Sequence, residues 1–86
     1  MKTNYELTLD RTPEGNIICN VMRPPICIHT FTAEPMGKEY KLYELVSRGE
    51  RIDIGSVEGE STARLNLSRL AQQFILGYTP VRRKIR

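Results

Sequence analysis

Residues 5–22 read Tyr5-Glu6-Leu7-Thr8-Leu9-Asp10-Arg11-Thr12-Pro13-Glu14-Gly15-Asn16-Ile17-Ile18-Cys19-Asn20-Val21-Met22, and this stretch decides the fold. Tyr5, Leu7 and Leu9 alternate with Glu6, Thr8 and Asp10, which is the two-residue period of a half-buried strand. Pro13 presets φ for the first corner of a type I turn, and Gly15 accepts the left-handed position that closes a bulged three-residue loop. The turn fixes a register. With Thr12 opposite Asn16, Leu9 faces Cys19, Leu7 faces Val21 and Arg11 faces Ile17. One side then carries Tyr5, Leu7, Leu9, Ile17, Cys19 and Val21. A slip of one residue would mix this set with Glu6, Thr8 and Asp10, so the turn chemistry and the hydrophobic pattern specify the same hairpin.

Outward from the hairpin, Pro24-Pro25 interrupts the ladder because neither proline can donate to it. Ile26 to Thr32 reads as a third strand, with Ile28 opposite Cys19 and Ile26 opposite Val21. Ala33-Glu34-Pro35-Met36-Gly37 reads as a loop. Tyr40 to Val46 fits a short helix through Leu42, Leu45 and Val46, or a second hairpin in which Leu45 faces Ile52 and Tyr43 faces Ile54. The hairpin is the better fit, since the run is short for a helix and rich in strand formers. After Glu58-Gly59-Glu60 the period becomes helical. Ala63, Leu67, Leu70, Ala71, Phe74 and Tyr78 form one stripe, with Ser61 or Asn66 as the N-cap and Gly77 as the stop. The Asn66 version would turn Ser61 to Leu65 into another strand. The pattern predicts an α+β domain over residues 1–78: an antiparallel sheet of four to five strands built from hairpins, with one C-terminal amphipathic helix packed on one face.

The chain has 86 residues and a formal net charge of +3. Arg82, Arg83, Lys84 and Arg86 supply +4, which leaves −1 on everything else. Residues 79–86 are therefore expected to be a basic tail on a nearly neutral body. No leader-like apolar segment opens the sequence, and no run approaches the ~20 apolar residues of a membrane span. Two cysteines are too few for a secreted disulfide framework, so a cytoplasmic setting is expected. No membrane partner and no cofactor are indicated. Small size and the basic tail suggest an accessory protein of phage or bacterial type, in host cytoplasm if phage-encoded.

The tail is the first candidate for chemistry. Arg82, Arg83, Lys84 and Arg86 suit nucleic-acid phosphates, with salt-sensitive and largely sequence-independent affinity. Arg64 and Arg69, together with Arg48 and Arg51, would extend that patch if the fold brings them together. The bland alternative is a solvated end. The second candidate is a strip on the helix opposite its core stripe, formed by Leu65, Arg69, Gln72 and Leu76. It suits a protein partner or a homodimer, and the bland alternative is scattered exposed leucines. Ile18, Met22, Cys27 and Phe31, on the back of the sheet, raise the same question, because one helix covers one face.

Cys19, Cys27 and His29 fall short of a zinc set, which needs about four ligands in close pairs. The strand register also sets the two cysteines on opposite faces, so both read as small hydrophobes. His29 could act as a general base only with a nucleophile or an orienting carboxylate beside it, and no motif supplies one. No phosphate-cradling glycine loop or nucleophile elbow is present. The sequence thus points to a small non-enzymatic binding module that contacts nucleic acid through its basic end. The alternative is a protein-binding modulator or inhibitor of a larger host protein, or a homodimer.

Overall fold

A computed structural model describes residues 4–46 and 49–77. Five strands run in chain order, β1 (Glu6–Arg11), β2 (Ile17–Arg23), β3 (Ile26–Met36), β4 (Glu39–Leu45) and β5 (Arg51–Glu58), followed by one helix, α1 (Glu60–Ile75). The strands form a single antiparallel meander in the order β1-β2-β3-β4-β5, and α1 packs across one face, giving an α+β fold.

The first hairpin has the register its turn dictates. Leu7 pairs with Val21, Leu9 with Cys19 and Arg11 with Ile17. The Thr12 amide donates to the Asn16 carbonyl at 2.9 Å, the Gly15 amide to the Thr12 carbonyl at 2.9 Å, and the Asn16 amide to Thr12 Oγ1 at 3.0 Å. Gly15 takes φ 94°, where a Cβ would crowd the backbone.

The third strand departs from the sequence reading. Cys19 pairs with Phe31, not Ile28, and Val21 pairs with His29, not Ile26. The expected register would have set Arg23 against Pro24 and left no residues for a turn. Instead Pro24-Pro25 forms the two-residue connection, Arg23 pairs with Ile26, and Ile28 is the extra residue of a bulge between Val21 and Met22. The bulge reverses the alternation. His29 and Phe31 come to the helix side while Cys27 goes to the open side. Phe31 is therefore a core residue at 0% exposure rather than part of the sheet's back. The segment expected as a loop, Ala33 to Met36, continues β3, and the turn falls at Gly37-Lys38. Pro35 is tolerated because β2 begins at Ile17, opposite Ala33. On the β2 side no strand residue lies opposite Pro35, while on its other side it pairs with Tyr40 of β4.

Residues 39–45 are strand, as the hairpin reading requires, with a register offset at the turn end. Leu45 pairs with Arg51 and Tyr43 with Asp53, one residue short of the expected Ile52 and Ile54. A bulge at Ile54 takes up the difference, so that from Leu42↔Gly55 to Glu39↔Glu58 the anticipated alignment holds. Asp53 Oδ1 accepts the Gly55 amide at 2.9 Å and closes the bulge locally.

The helix begins at Glu60. Its N-cap is Gly59, not Ser61 or Asn66, and no side chain caps it. Residues 61–65 are helical, so the extra-strand version does not occur. Gly59 sits at φ 92°, ψ 147°, a region reserved for glycine, and its amide donates to the Lys38 carbonyl at 3.2 Å. The sharp entry turns the chain from β5 onto the sheet. Ala63, Leu67 and Ala71 are fully buried, with Leu70 and Phe74 packed against the same core. Gly77 ends the helix at φ 91°, and its amide donates to the Phe74 carbonyl at 3.0 Å. Tyr78, the last expected stripe residue, lies outside the described residues. The core lies between α1 and the inward sheet residues Ile17, Cys19, Val21, Phe31, Ala33 and Leu42.

Candidate functional site

Burial along α1 divides its candidate residues. The exposed positions are Ser61, Thr62, Leu65, Arg69 and Gln72, continued by Leu76 at the C-cap. From Thr62 onward the spacing is three, four, three and four residues. That alternation of three- and four-residue steps keeps all five on one face of the helix. Leu65 is 56% exposed and Leu76 70% exposed, among the largest exposed apolar side chains described. The helix brings Leu65, Arg69, Gln72 and Leu76 onto one outward strip, as the sequence pattern implies. A groove of about 310 Å³ runs beside this strip between α1 and the β5 edge. Leu42, Ile54, Val57 and Leu70 form its apolar part, and Asn66, Arg69 and Gln73 its polar part.

Among the described residues, Arg51, Arg64 and Arg69 do not gather into one patch. Arg51 lies on the open face of the sheet, paired with Glu34 and stacked 4.0 Å from the centre of the Tyr43 ring. Arg64 lies 3.8 Å from Glu60 on α1, and Glu60 also meets Arg11 at 3.4 Å. Arg64 and Arg69, five residues apart, are turned roughly 140° from one another around the helix. Arg48 and the tail residues Arg82, Arg83, Lys84 and Arg86 lie outside the described residues. Within the described residues seven Lys and Arg stand against ten Asp and Glu, a net charge of −3. The open sheet face contributes to that balance. Its six carboxylates, including the directly opposed Glu39 and Glu58, outnumber Lys41 and Arg51. Lys41 Nζ meets Asp53 Oδ2 at 2.9 Å, and this hydrogen bond raises the lysine's pKa above its ordinary value.

His29 does have a carboxylate within reach. Its Nε2 lies 2.8 Å from Glu44 Oε2, with Glu44 almost wholly buried and the His29 side chain 16% exposed. The imidazole stacks on Phe74, 4.3 Å between ring centres and 2° from parallel, and meets Phe31 edge-on at 5.1 Å. Glu44 was not singled out by sequence. Its signal is parity: Tyr40, Leu42 and Glu44 share the inward side of β4, so the third member of that set must turn its carboxyl group toward the core. The bulge at Ile28 sets the Cys27 side chain on the other face of the sheet from this pair. Cys27 Sγ lies 3.6 Å from Asn20 Oδ1 and 3.5 Å from Thr30 Oγ1 on the opposite face, and Thr30 Oγ1 donates to Asn20 Oδ1 at 2.8 Å. The histidine thus has an orienting carboxylate and aromatic walls, with Cys27 and Thr30 engaged across the sheet. A shallow depression of about 470 Å³, lined by Cys27, Ile28, His29, Thr30, Leu45 and Val46, opens at this end of the sheet.

Both thiols are free. Cys19 is buried in the core, and burial pushes its pKa up to about 11, so it remains a neutral packing group. Among the described residues no group of three or more His, Cys, Asp and Glu is placed to hold a metal ion, and no helix is long and apolar enough to cross a membrane. Set beside known proteins, the chain matches no family model, no curated protein and no solved structure.

Proposed function

We propose that this chain is a non-enzymatic protein-binding module of the cytoplasm, and that it docks through the outward strip of α1. The observation that carries this reading is the exposure of Leu65 and Leu76 at the two ends of a strip whose centre is Arg69 and Gln72. Arginine is enriched in the energetic centres of protein interfaces, and the exposed leucines on either side of Arg69 offer apolar area for a partner to cover. Leu76→Arg places a charge at one anchor without touching the core. Capture from host lysate, with and without nuclease, tests the reading. The wild-type chain is expected to retain a protein partner after nuclease treatment, and the variant to lose it. Retention by the variant, or loss of the partner with nuclease alone, would count against the strip.

A second reading rests on charge segregation. The described residues carry −3, while Lys2, Arg48 and the tail's Arg82, Arg83, Lys84 and Arg86 carry +6. Phosphate contact, if it occurs, belongs to residues 82–86 and not to Arg64, Arg69 or the open sheet face. On this reading the folded body presents a tail that holds nucleic acid without reading its sequence.

A further inference from the structure

The outward strip of α1 is chemically palindromic, and we infer that its partner is a second copy of this chain, packed as an antiparallel helix pair. The inference rests on the protein-binding reading above and names the partner. The approximate two-fold axis falls between Leu70 and Ala71. About that axis Leu65 meets the partner's Leu76, and Arg69 meets the partner's Gln72. Each of these pairings joins the two alternating seam positions, which is how antiparallel helices form layers.

Three observations select this occupant and this direction. Leu65 and Leu76 are both exposed, and an antiparallel register covers each with the other, once at either end. Arg69 is the seam's charge. A parallel pair would set it against the partner's Arg69, whereas the antiparallel pair lets its guanidinium donate to Oε1 of the partner's Gln72. The flanking residues Asn66, Ser68, Gln73 and Ile75 carry no charge that would repel a second copy. Opposed helix dipoles favour the same orientation. Because α1 lies over the sheet with this strip on its far side, two copies would stack as sheet, helix, helix, sheet.

The contact spans only about three turns, so a weak dimer is expected, populated over ~10 µM to ~1 mM. Sedimentation equilibrium of the full chain across that range should show the mass rising from monomer toward dimer. Leu65→Arg and Leu76→Arg should each raise the dissociation constant at least tenfold, with unchanged far-UV circular dichroism. A second test fixes the register. In a Cys27→Ser background, Leu65→Cys mixed with Leu76→Cys should give a disulfide-linked heterodimer, and neither variant alone should cross-link. A chain that stays monomeric at ~1 mM overturns the second-copy inference and leaves the protein-binding reading to the lysate experiment. A dimer indifferent to both arginine variants overturns the strip as its interface. Cross-linking by Leu65→Cys alone overturns the antiparallel register.

Discussion

Replacing His29 by alanine tests the claim that the His29–Glu44 pair holds the C-terminal half of α1 onto the sheet. The substitution removes the 2.8 Å contact to Glu44 and both ring contacts, to Phe74 and Phe31. A buried hydrogen bond of this kind contributes about 1–3 kcal/mol. Each aromatic contact adds about 0.5–1.5 kcal/mol. The expected loss is therefore about 3 kcal/mol, a large part of the ~5–15 kcal/mol that keeps a small domain folded. At ~4–8 °C per kcal/mol for a chain of this size, the melting temperature should fall by roughly 12–24 °C. Urea denaturation followed by far-UV circular dichroism suits a chain without tryptophan. Glu44→Ala and the double variant complete a cycle, and the coupling between the two sites should be about 1 kcal/mol or more. If His29→Ala costs under ~1 kcal/mol, or the two losses add within ~0.5 kcal/mol, the pair is not a coupled anchor and the reasoning fails.

The buried Cys19 thiol makes stability fall in alkali. Its pKa is about 11 when folded and near 9.0 when unfolded, so the stabilisation is complete below pH 9 and lost as pH rises toward 11. The loss is on the order of 2–3 kcal/mol by ~1.4 kcal/mol per pH unit, readable as a drop in the urea midpoint between pH 8.5 and 11. At pH 8, iodoacetamide should modify the exposed Cys27 alone in the native chain and both thiols in denaturant; two modifications without denaturant would contradict the burial. Gly59→Ala has open space for its Cβ but meets a backbone region barred to side chains, so a cost of ~1–3 kcal/mol is expected from backbone strain alone, and a neutral effect would refute the entry geometry. If residues 82–86 contact nucleic acid, affinity for duplex DNA should fall with a log–log salt slope of about −3.6 for four contacts and vanish when those residues are deleted. Binding retained by the deletion, or insensitive to salt, would remove that reading.

How far the sequence could be read depended on whether a turn announced itself. Thr12-Pro13-Glu14-Gly15 fixes loop length and chirality together, so the β1–β2 register was legible residue by residue. The helix was legible because Ala63, Leu67 and Ala71 repeat at helical spacing and Gly77 ends it. β3 was not, because a bulge at Ile28 leaves no mark in composition. An isoleucine there looks like any strand residue, yet it decides that His29 and Phe31 face inward. Pro35 misled for a related reason. Its cost depends on whether a neighbouring strand reaches that level, and chain topology alone supplies that information. The helix strip of the candidate site was legible from periodicity. Glu44 was not, because a lone carboxylate on a half-buried strand reads as solvent-facing until its alternation with Leu42 is known. The convergence of arginines was undetermined by sequence, and of the described ones Arg51 and Arg64 sit on opposite sides of the sheet.

Because every strand lies beside its own neighbour in the chain, each ladder can zip from the hairpin that precedes it and close only a short loop to do so. Such local topology belongs among the faster-folding β-rich chains, and α1 is the element that must travel back across strands made earlier. The helix then acts as a clasp fastened last. A chain released before residue 60 would present a formed sheet with its inner layer of Ile17, Val21 and Phe31 still wet, the moment at which this protein is most open to sticking to others.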